Sequence, residues 1–441
     1  MPVKTVRPAI EAARGICGKQ KREADREYRY TLHCLAVPCE EGTLLYHTLT
    51  GELIQIGPEP MTEAEKEELI ARRFLVPTDF DERKFADEVQ QIVGMMRASR
   101  RNKTNFTILT TTDCNARCFY CYEIGIPRCP MTAETARETA DYILRSSGGK
   151  PVKLSWFGGE PLYNRQVIDI ICERLRVHGA EYESGMVTNG YYLDRETVRH
   201  AYEDWHLRKV QITVDGTEKL YNRIKAYIDA DENPYRRVMN NIAHALAAGV
   251  RVTIRLNMDA GNADDLCRLA DDLAERFPDH SKLEVYVALI KKFGGGIHRY
   301  ESWEETEKKY NAIREKLKAH GLLRVKPLPP VLRQSRCMAD HDTSEVILPD
   351  GRTGRCEHYS EEMVTGHIRD DRRDRAVIEK WKKPLQIPEC GQCCLYPICT
   401  KLEMCLWQNT CTELDRRIQR NELTEQVIAE YMEDKKRRSA E

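Results

Sequence analysis

Residues 114–121, with the sequence Cys-Asn-Ala-Arg-Cys-Phe-Tyr-Cys, place three thiols, Cys114, Cys118 and Cys121, at the spacing C-x3-C-x2-C. Three thiolates in one loop could ligate three irons of a [4Fe–4S] cube, whereas structural clusters use four thiolates. No fourth cysteine continues this spacing, so one iron of such a cube would be open to another ligand. A zinc loop could use the same thiols, although zinc sites usually contain two C-x2–4-C pairs. The three cysteines could also be buried packing residues.

A second group of cysteines lies near the end of the chain. Cys337 is followed after 13 intervening residues by Gly351, and Cys356 follows after four more. Further on come Cys390, Cys393, Cys399, Cys405 and Cys411, with Cys394 as an extra thiol. The chain has 17 cysteines in all, and such numerous thiols in a large reduced protein indicate metal binding. A zinc-ribbon array is the alternative for this group. We expect five scattered cysteines to be packing residues: Cys17, Cys34, Cys39, Cys172 and Cys267.

Composition narrows the class of protein. The 441 residues carry a net charge of −1, and 32% of them are charged. The electrostatic field of the whole protein therefore does not favour the binding of nucleic acid. No apolar run is long enough to span a membrane, and the N-terminus lacks the apolar centre of a signal peptide. We therefore predict a cytoplasmic protein, where disulfides are rare, with neither nucleic acid nor membrane as a partner. The basic tail, Lys435 to Arg438, is expected to be solvated.

The elements that position the first cysteine group alternate between strands and helices. Apolar runs predict six strands: 105–110, 152–156, 185–188, 210–214, 252–257 and 283–289. Helical patterns lie between them, one of them capped by Thr132 and ended by Gly148-Gly149. This alternation predicts a parallel sheet with helices outside it. Six units are fewer than the eight of a closed barrel.

Polar and glycine-rich segments follow the strands in order. Gly158-Gly159-Glu160 follows the second strand, Thr188-Asn189-Gly190 the third, and Asp215-Gly216 the fourth. The fifth strand ends in Arg255-Leu256-Asn257. Because chemistry in parallel barrels lies at the carboxyl ends of the strands, these segments and the cysteine loop are expected to meet.

The cysteine spacing and this ordered set resemble the radical S-adenosylmethionine (radical SAM) enzymes. The resemblance implies an open, partial (β/α)6 barrel and a cluster whose unique iron binds the amine and carboxylate of SAM. It implies that Glu160 contacts the SAM ammonium and that Arg255 pairs with its carboxylate, although a structural salt bridge is an alternative for Arg255. The SAM-site residues implied in this way are Phe119, Tyr120, Gly158, Gly159, Glu160, Thr188, Asn189, Asp215, Arg255 and Asn257.

The second cysteine group resembles the SPASM domain, which holds two auxiliary [4Fe–4S] clusters. The resemblance assigns Cys390, Cys393, Cys399 and Cys411 to one cluster, and Cys337, Cys356 and Cys405 to an inner one. Cys405 follows Cys399 by five intervening residues instead of the usual three, which weakens its assignment. We hypothesise that the inner cluster has an open iron for a substrate thiolate; Cys394 or Cys129 could instead complete it.

The first hundred residues predict a small α+β unit. Residues 28–35, 44–46 and 53–56 have strand patterns, Thr62 and Glu65 form a capping box, and a helix starts near Asp81. Residues before Arg26 are predicted to be a mobile arm or a helix. The unit resembles the winged-helix-like leader-recognition module of peptide-modifying radical SAM enzymes, in which a peptide adds to a sheet edge; a structural cap is the alternative.

The predicted domains are 1–100 (the leader-recognition-like module), 101–310 (the radical SAM core), 311–336 (a bridge) and 337–441 (the SPASM domain with a C-terminal helix). The resemblance implies SAM, three [4Fe–4S] clusters and a flavodoxin- or ferredoxin-type electron donor. The implied activity is crosslinking of a ribosomally made, Cys-rich precursor peptide with a leader, through a 5′-deoxyadenosyl radical. A thioether is the favoured product and a carbon–carbon bond the other. One alternative is an anaerobic sulfatase-maturating enzyme with Glu357 as base; another is an iron–sulfur electron carrier or a zinc scaffold.

Overall fold

The N-terminal part combines strands and helices in one small unit. The structure is a computed structural model that describes residues 3–98, 102–228, 230, 233–291, 301–329, 337–358, 360–396 and 398–440. The elements of this part are β1 (Lys4–Arg7), α1 (Glu11–Cys17), β2 (Tyr28–Tyr30), β3 (Cys34–Cys39), β4 (Gly42–His47), β5 (Glu52–Ile56), α2 (Glu63–Ala71), β6 (Leu75–Pro77) and α3 (Glu82–Ala98). An antiparallel sheet has the order β1-β5-β4-β3, and β2 pairs with β6.

One local prediction for this unit is wrong, one is confirmed in part and one is confirmed. The helix predicted before Arg26 is present as α1, but residues 4–7 form the strand β1, which pairs with β5 to complete the sheet. The single strand predicted over 28–35 is two strands, β2 and β3, because the Glu82 carboxylate accepts hydrogen bonds from the Thr31 hydroxyl and the Leu32 amide and holds a turn between them. The capping box is present: Glu65 N donates to Thr62 Oγ1 over 3.3 Å and Thr62 N to Glu65 Oε2 over 2.8 Å.

The core alternates strands and helices as predicted. Its elements are β7 (Asn105–Leu109), α4 (Ala133–Ser147), β8 (Val152–Phe157), α5 (Arg165–Val177), β9 (Tyr182–Thr188), α6 (Arg195–Glu203), β10 (Leu207–Thr213), α7 (Glu218–Lys225), α8 (Pro234–Ala247), β11 (Arg251–Met258), α9 (Ala263–Arg276), β12 (Leu283–Leu289) and α10 (Trp303–Ala319). Neighbouring strands from β7 to β12 pair in parallel and in chain order. The predicted partial (β/α)6 fold is therefore confirmed. Helix α7 was not predicted.

The strands alternate between an apolar face and a polar one. Phe106, Trp156, Ile212 and Ile254 point to the helix layer and are buried in one continuous core. Their neighbours on the other face are polar, among them Thr107, Ser155, Gln211 and Thr253. Because successive strand residues point to opposite faces, burying the apolar set against the helices fixes the strand register.

The C-terminal part continues the same sheet. Its elements are β13 (Ser344–Ile347), β14 (Arg352–Gly354), β15 (Gly366–His367), α11 (Arg375–Trp381) and α12 (Glu413–Ala440). Strand β13 pairs in parallel with β7, and the full order is β12-β11-β10-β9-β8-β7-β13-β14-β15. The predicted boundary at residue 337 thus divides two regions that share one sheet. Of the predicted bridge, residues 311–319 belong to α10, and residues 330–336 lie outside the described residues.

The N-terminal unit packs on the C-terminal part. Leu35 and Val37 of β3 share a buried cluster with Leu423, Val427 and Tyr431 of α12. Among the described residues, every helix is too short or too polar to cross a bilayer.

Candidate functional site

The cysteine loop follows β7 and turns its thiols inward. Cys114 N donates to Asp113 Oδ1 over 2.8 Å, Ala116 N to Cys114 Sγ over 3.3 Å, and Cys121 N to the Cys118 carbonyl over 3.1 Å. Burial, the Glu160 carboxylate and the other two thiols raise the pKa of Cys114 to about 12, and burial raises the pKa of Cys121 to about 11. Grouped, buried thiols of this kind become thiolates when a bound cation offsets their charge. The donor set therefore fits an iron–sulfur cluster.

The glycine pair after β8 packs directly against the cysteine loop. Gly158 has φ +121°, and a Cβ there would lie 2.1 Å from the Thr111 carbonyl oxygen. A Cβ on Gly159 would lie 2.4 Å from the Asp113 carbonyl oxygen. Instead, Gly159 N and Glu160 N donate to these two oxygens over 3.0 and 2.9 Å. Only glycines allow the second strand end to hold the base of the cysteine loop in this way.

Glu160 connects two strand ends. Its fully buried carboxylate accepts hydrogen bonds from Leu162 N at 3.1 Å, Thr188 Oγ1 at 2.7 Å and Asn189 N at 2.8 Å. Burial raises the pKa of Glu160 to about 7, although these donors oppose the shift. The carboxylate thus has three protein donors already, and its contact with the SAM ammonium stays a prediction.

Asn189 reaches from the third strand end to the first thiol. Its Nδ2 lies 3.7 Å from Cys114 Sγ and donates to Asn115 Oδ1 over 2.7 Å. Asn115 Nδ2 is buried and has no hydrogen-bond acceptor among the described residues. An unsatisfied buried donor costs about 1–3 kcal/mol, so this amide beside Cys114 fits a site whose acceptor belongs to a bound group.

The fourth and fifth strand ends meet around Asp215. Asp215 Oδ2 lies 2.9 Å from Lys225 Nζ and also accepts the Tyr120 hydroxyl, while Asp215 Oδ1 accepts Asn257 N over 3.3 Å. Arg255 Nε donates to Asn257 Oδ1 over 2.8 Å. Within the described part of the chain, no carboxylate forms a salt bridge with Arg255, so the alternative of a structural salt bridge lacks a partner there.

The two aromatic residues of the loop differ in their surroundings. The Tyr120 ring packs edge-on against the Phe119 ring, with 5.3 Å between centroids. Phe119 is 40% exposed, whereas the Tyr120 hydroxyl is bound by Asp215 and Lys225. Tyr120 is thus anchored in the site and Phe119 borders solvent.

The inner cysteine group, defined as Cys337, Cys356 and Cys405, comes together in the C-terminal part. Burial, Glu357 and the other two thiols raise the pKa of Cys356 well above its ordinary value. Glu357 Oε2 lies 3.8 Å from Cys356 Sγ.

Arg355 holds the segment between the first two of these cysteines. Its buried guanidinium donates to the carbonyls of Ala339, His341 and Ser344 over 2.7–2.8 Å. The backbone after Cys337 is therefore fixed beside Cys356.

The inner cysteine group borders the first cysteine loop. Tyr122 directly follows Cys121, and its ring packs edge-on against the His358 ring with 4.0 Å between centroids. His358 N in turn lies 3.4 Å from Cys356 Sγ. The charge of Glu357 also contributes to raising the pKa of Tyr122, after burial and Glu123. The rings of Tyr122 and His358 thus link the two thiol groups.

The remaining cysteines form an outer group and two separate thiols. Cys393 interacts electrostatically with Cys394, Cys399 and Cys411, and Cys411 with Cys390. Cys394 also lies beside Cys34 of the N-terminal unit, and its carbonyl accepts Thr48 Oγ1 over 2.8 Å. Cys129 lies near Asp350 and Arg352. The thiols of each set given by the resemblance thus lie near one another, and their assignment to clusters stays a prediction. No three Cys, His, Asp or Glu side chains in the described residues form a ready site for a single metal ion.

Several residues of the site were not predicted from the sequence, among them Asn115, Glu123 and Lys225. Asn115 lies between Cys114 and Cys118, Glu123 follows Cys121 by two positions, and burial raises the pKa of Glu123 to about 8; their nearness to the motif was the available signal. Lys225 lies on α7, about a hundred residues after the loop, and no local pattern marks it.

Comparison with known proteins identifies the core. Residues 108–273 match the family model described as the Radical SAM superfamily. The predicted radical SAM resemblance is confirmed for this part of the chain, which matches the radical SAM superfamily.

Curated relatives are named GTP 3′,8-cyclases. A probable GTP 3′,8-cyclase of Archaeoglobus fulgidus is 23% identical over 300 residues, covering 64% of this chain and 94% of the relative. The probable GTP 3′,8-cyclase of Methanocaldococcus jannaschii is 30% identical over 149 residues, and the match spans 33% of this chain and 46% of that relative.

Solved structures of similar fold hold peptides. The structure titled native anSMEcpe with bound AdoMet and Cp18Cys peptide superimposes with a TM-score of 0.55 at 15% identity, covering 75% of this chain and 98% of that one. Streptococcus suis SuiB bound to precursor peptide SuiA gives a TM-score of 0.52 at 11% identity, covering 85% of this chain and 95% of SuiB. At these identities the likeness establishes the fold.

Proposed function

We propose that this chain is a peptide maturase that removes hydrogen from a ribosomally made, Cys-rich precursor peptide and forms a crosslink, with a thioether favoured over a carbon–carbon bond. The observation that carries the proposal is the position of the inner cysteine group against the end of the cysteine loop, through His358 and Tyr122. A substrate thiol and a reacting C–H bond could be held side by side there. Peptide-bound neighbours of the same fold agree with this substrate class.

At the site around the cysteine loop, residues from different strand ends would hold different groups. Cys114, Cys118 and Cys121 would hold a [4Fe–4S] cluster, and the segments around Gly158, Thr188, Asn189, Asp215, Arg255 and Asn257 would hold SAM. When bound, these groups supply a 5′-deoxyadenosyl radical for hydrogen abstraction. The protein supplies orientation: the strand ends are joined by hydrogen bonds through Glu160 and Asp215.

The inner cysteine group would hold an auxiliary cluster with only three protein thiolates. Cys394 and Cys129 contact other parts of the molecule, which supports an open iron that binds the substrate thiolate. Glu357 is half-buried beside Cys356 and near Tyr122, so it can accept a proton from a substrate group between the two sites. The outer group, Cys390, Cys393, Cys399 and Cys411, would hold the third cluster.

The N-terminal unit would bind the leader of the precursor. A peptide strand can add only at a sheet edge, and the edges of this sheet are β1 and β3. The Thr5 carbonyl of β1 already accepts Arg438 Nη2 over 2.8 Å, so we propose β3 as the docking edge. Because β3 packs on α12, a bound leader would lie next to the auxiliary clusters.

The test uses the anaerobically reconstituted protein with SAM, a chemical reductant and a Cys-rich precursor. We expect 5′-deoxyadenosine together with a peptide that has lost two hydrogens. Alkylation of free thiols then distinguishes the products, because a thioether removes one alkylation site and a carbon–carbon bond removes none. A leaderless peptide is expected to react poorly. An unchanged peptide in the presence of 5′-deoxyadenosine formation would contradict the proposal.

Two other substrates have specific support. The curated relatives favour a nucleotide substrate, and Glu357 directly after Cys356 favours a sulfatase-maturating activity on a Cys or Ser peptide. Incubation with GTP and with a sulfatase-derived Cys peptide, followed by mass spectrometry, checks both alternatives under the same conditions. An electron carrier would give no 5′-deoxyadenosine with any of the three substrates.

A further inference from the structure

Lys225 carries a buried charge next to the cysteine loop. It is the last residue of α7, its side chain is 3% exposed, and its Nζ lies 2.9 Å from Asp215 Oδ2 and 3.1 Å from the Tyr120 hydroxyl. An ammonium removed from water costs several kcal/mol unless it is paired and hydrogen-bonded. Lys225, Asp215 and Tyr120 therefore form one buried unit, which we call the lysine triad.

The backbone around Lys225 also holds the cysteine loop. The Lys225 carbonyl accepts Arg117 N over 2.8 Å, and Ile228 N donates to the Asn115 carbonyl over 2.9 Å. Tyr120 belongs to the loop itself, next to Cys121. The end of α7 is thus attached to the loop on both sides of Cys118, so the position of the Lys225 charge relative to the thiols is fixed.

The charge of Lys225 acts on the thiols. Its ammonium lies 3.1 Å from the hydroxyl of Tyr120, the residue that directly precedes Cys121 and follows Cys118 by two positions. The Asp215 carboxylate accepts the hydroxyl of the same Tyr120, and its negative charge acts on the thiols in the opposite sense.

We infer that Lys225 is a positioning residue that favours the one-electron-reduced state of the cluster at Cys114, Cys118 and Cys121. The inference rests on the part of the proposed function that assigns a [4Fe–4S] cluster to these cysteines. A [4Fe–4S]²⁺ cube with three thiolates has a net charge of −1, and one electron from the external donor makes it −2. Nearby charge and hydrogen bonding set the potential of such clusters. A buried cation beside two of the three ligands stabilises the more negative state.

The test is a redox titration of the reconstituted full-length enzyme. Electron paramagnetic resonance follows only the signal that changes on addition of SAM, which separates this cluster from the auxiliary ones. For Lys225→Met we expect about a tenfold lower ratio of reduced to oxidised cluster at the wild-type midpoint, which is a midpoint about 59 mV lower for one electron. Asp215→Asn is expected to shift the midpoint in the positive direction. Lys219→Met changes an exposed lysine on the same helix and is the control, with no expected shift.

The double variant is the control for misfolding and for loss of the cluster. Lys225→Met/Asp215→Asn removes both charges, so no uncompensated charge stays buried, and its midpoint is expected near that of the wild type. If Lys225→Met alone loses iron, Asp215→Asn and the double variant still test the inference. Shifts of the two single variants in the same direction, or no shift with full iron content, would overturn it. A wild-type protein without a SAM-sensitive signal would instead refute the cluster assignment in the proposed function.

Discussion

Gly158 offers the sharpest test of how the strand ends support the cysteine loop. In Gly158→Ala, the new Cβ would lie 2.1 Å from the Thr111 carbonyl oxygen, and the backbone would keep φ +121°. Since real Cβ contacts begin near about 3 Å, the two segments must separate by about 1 Å. Backbone strain of about 1–3 kcal/mol and loss of the Gly159 N to Thr111 O hydrogen bond, about 1 kcal/mol, add to about 3 kcal/mol.

We expect this cost to appear in SAM binding, because the displaced Thr111 lies three residues before Cys114. About 3 kcal/mol corresponds to about a hundredfold weaker binding. Gly149→Ala is the matched control: Gly149 also has a positive φ, +76°, but a Cβ there meets nothing within 4 Å. It should cost about 1–2 kcal/mol of stability from strain alone and leave SAM affinity unchanged.

The measurements are iron per chain, the thermal unfolding midpoint, and the dissociation constant for SAM by calorimetry on the reconstituted protein. Both variants should unfold at lower temperature, and only Gly158→Ala should bind SAM weakly. A Gly158→Ala protein whose SAM affinity lies within twofold of Gly149→Ala would refute the argument, because the close approach to Thr111 would then be irrelevant to the site.

Three further outcomes are expected. Cys405→Ala should remove about four irons per chain, and Cys394→Ala none; loss of a cluster in Cys394→Ala would exclude the open inner iron. Glu357→Gln should keep its iron and its 5′-deoxyadenosine formation but slow peptide modification, which peptide mass spectrometry measures; unaltered modification would remove Glu357 from the reaction. Burial opposes the charge of Asp415, but Lys291 and Lys401 lower its pKa to about 2. Since this lies below its ordinary value, Asp415 stabilises the fold above about pH 4, and the stabilisation is lost as pH falls toward 2. Asp415→Asn should therefore lower the free energy of unfolding of the apoprotein in urea by about 2 kcal/mol at pH 7. An equal loss at pH 3 would contradict the lowered pKa of Asp415.

The sequence predicted which residues lie close together where the order of the strands alone determines their positions. The carboxyl ends of parallel strands share one edge, so Gly158, Thr188, Asp215 and Asn257 could be placed together without any knowledge of packing. The caps at Thr62 and Thr132 were equally accessible, because a side-chain oxygen and a nearby amide form them locally.

Other features depend on contacts between distant segments. Lys225 belongs to a helix whose N-cap residue, Thr217, makes no side-chain capping hydrogen bond, and the importance of Lys225 comes from a pairing with Asp215 that only the folded chain creates. The strand β1 has four residues, too few for a pattern, and β5 supplies the partner that makes it a strand. The contact of Glu160 with a ligand stays a prediction, whereas its hydrogen bonds from the Thr188 hydroxyl and the Asn189 amide of the adjoining strand end are contacts that no spacing rule reveals.

The shared sheet explains how two thiol groups so far apart in the chain keep a fixed separation. Strand β7 leads into the first cysteine loop, and the β13–β14 hairpin leads into Cys356 through the buried Arg355. Because β13 pairs with β7 from Ser344↔Asn105 to Ile347↔Ile108, backbone hydrogen bonds, and not a linker, set the spacing between the groups. A substrate that must reach both sites would then be selected by its own geometry, since the protein cannot adjust the gap without breaking the ladder. The bond formed should accordingly depend on the spacing between cysteine and acceptor residue in the precursor.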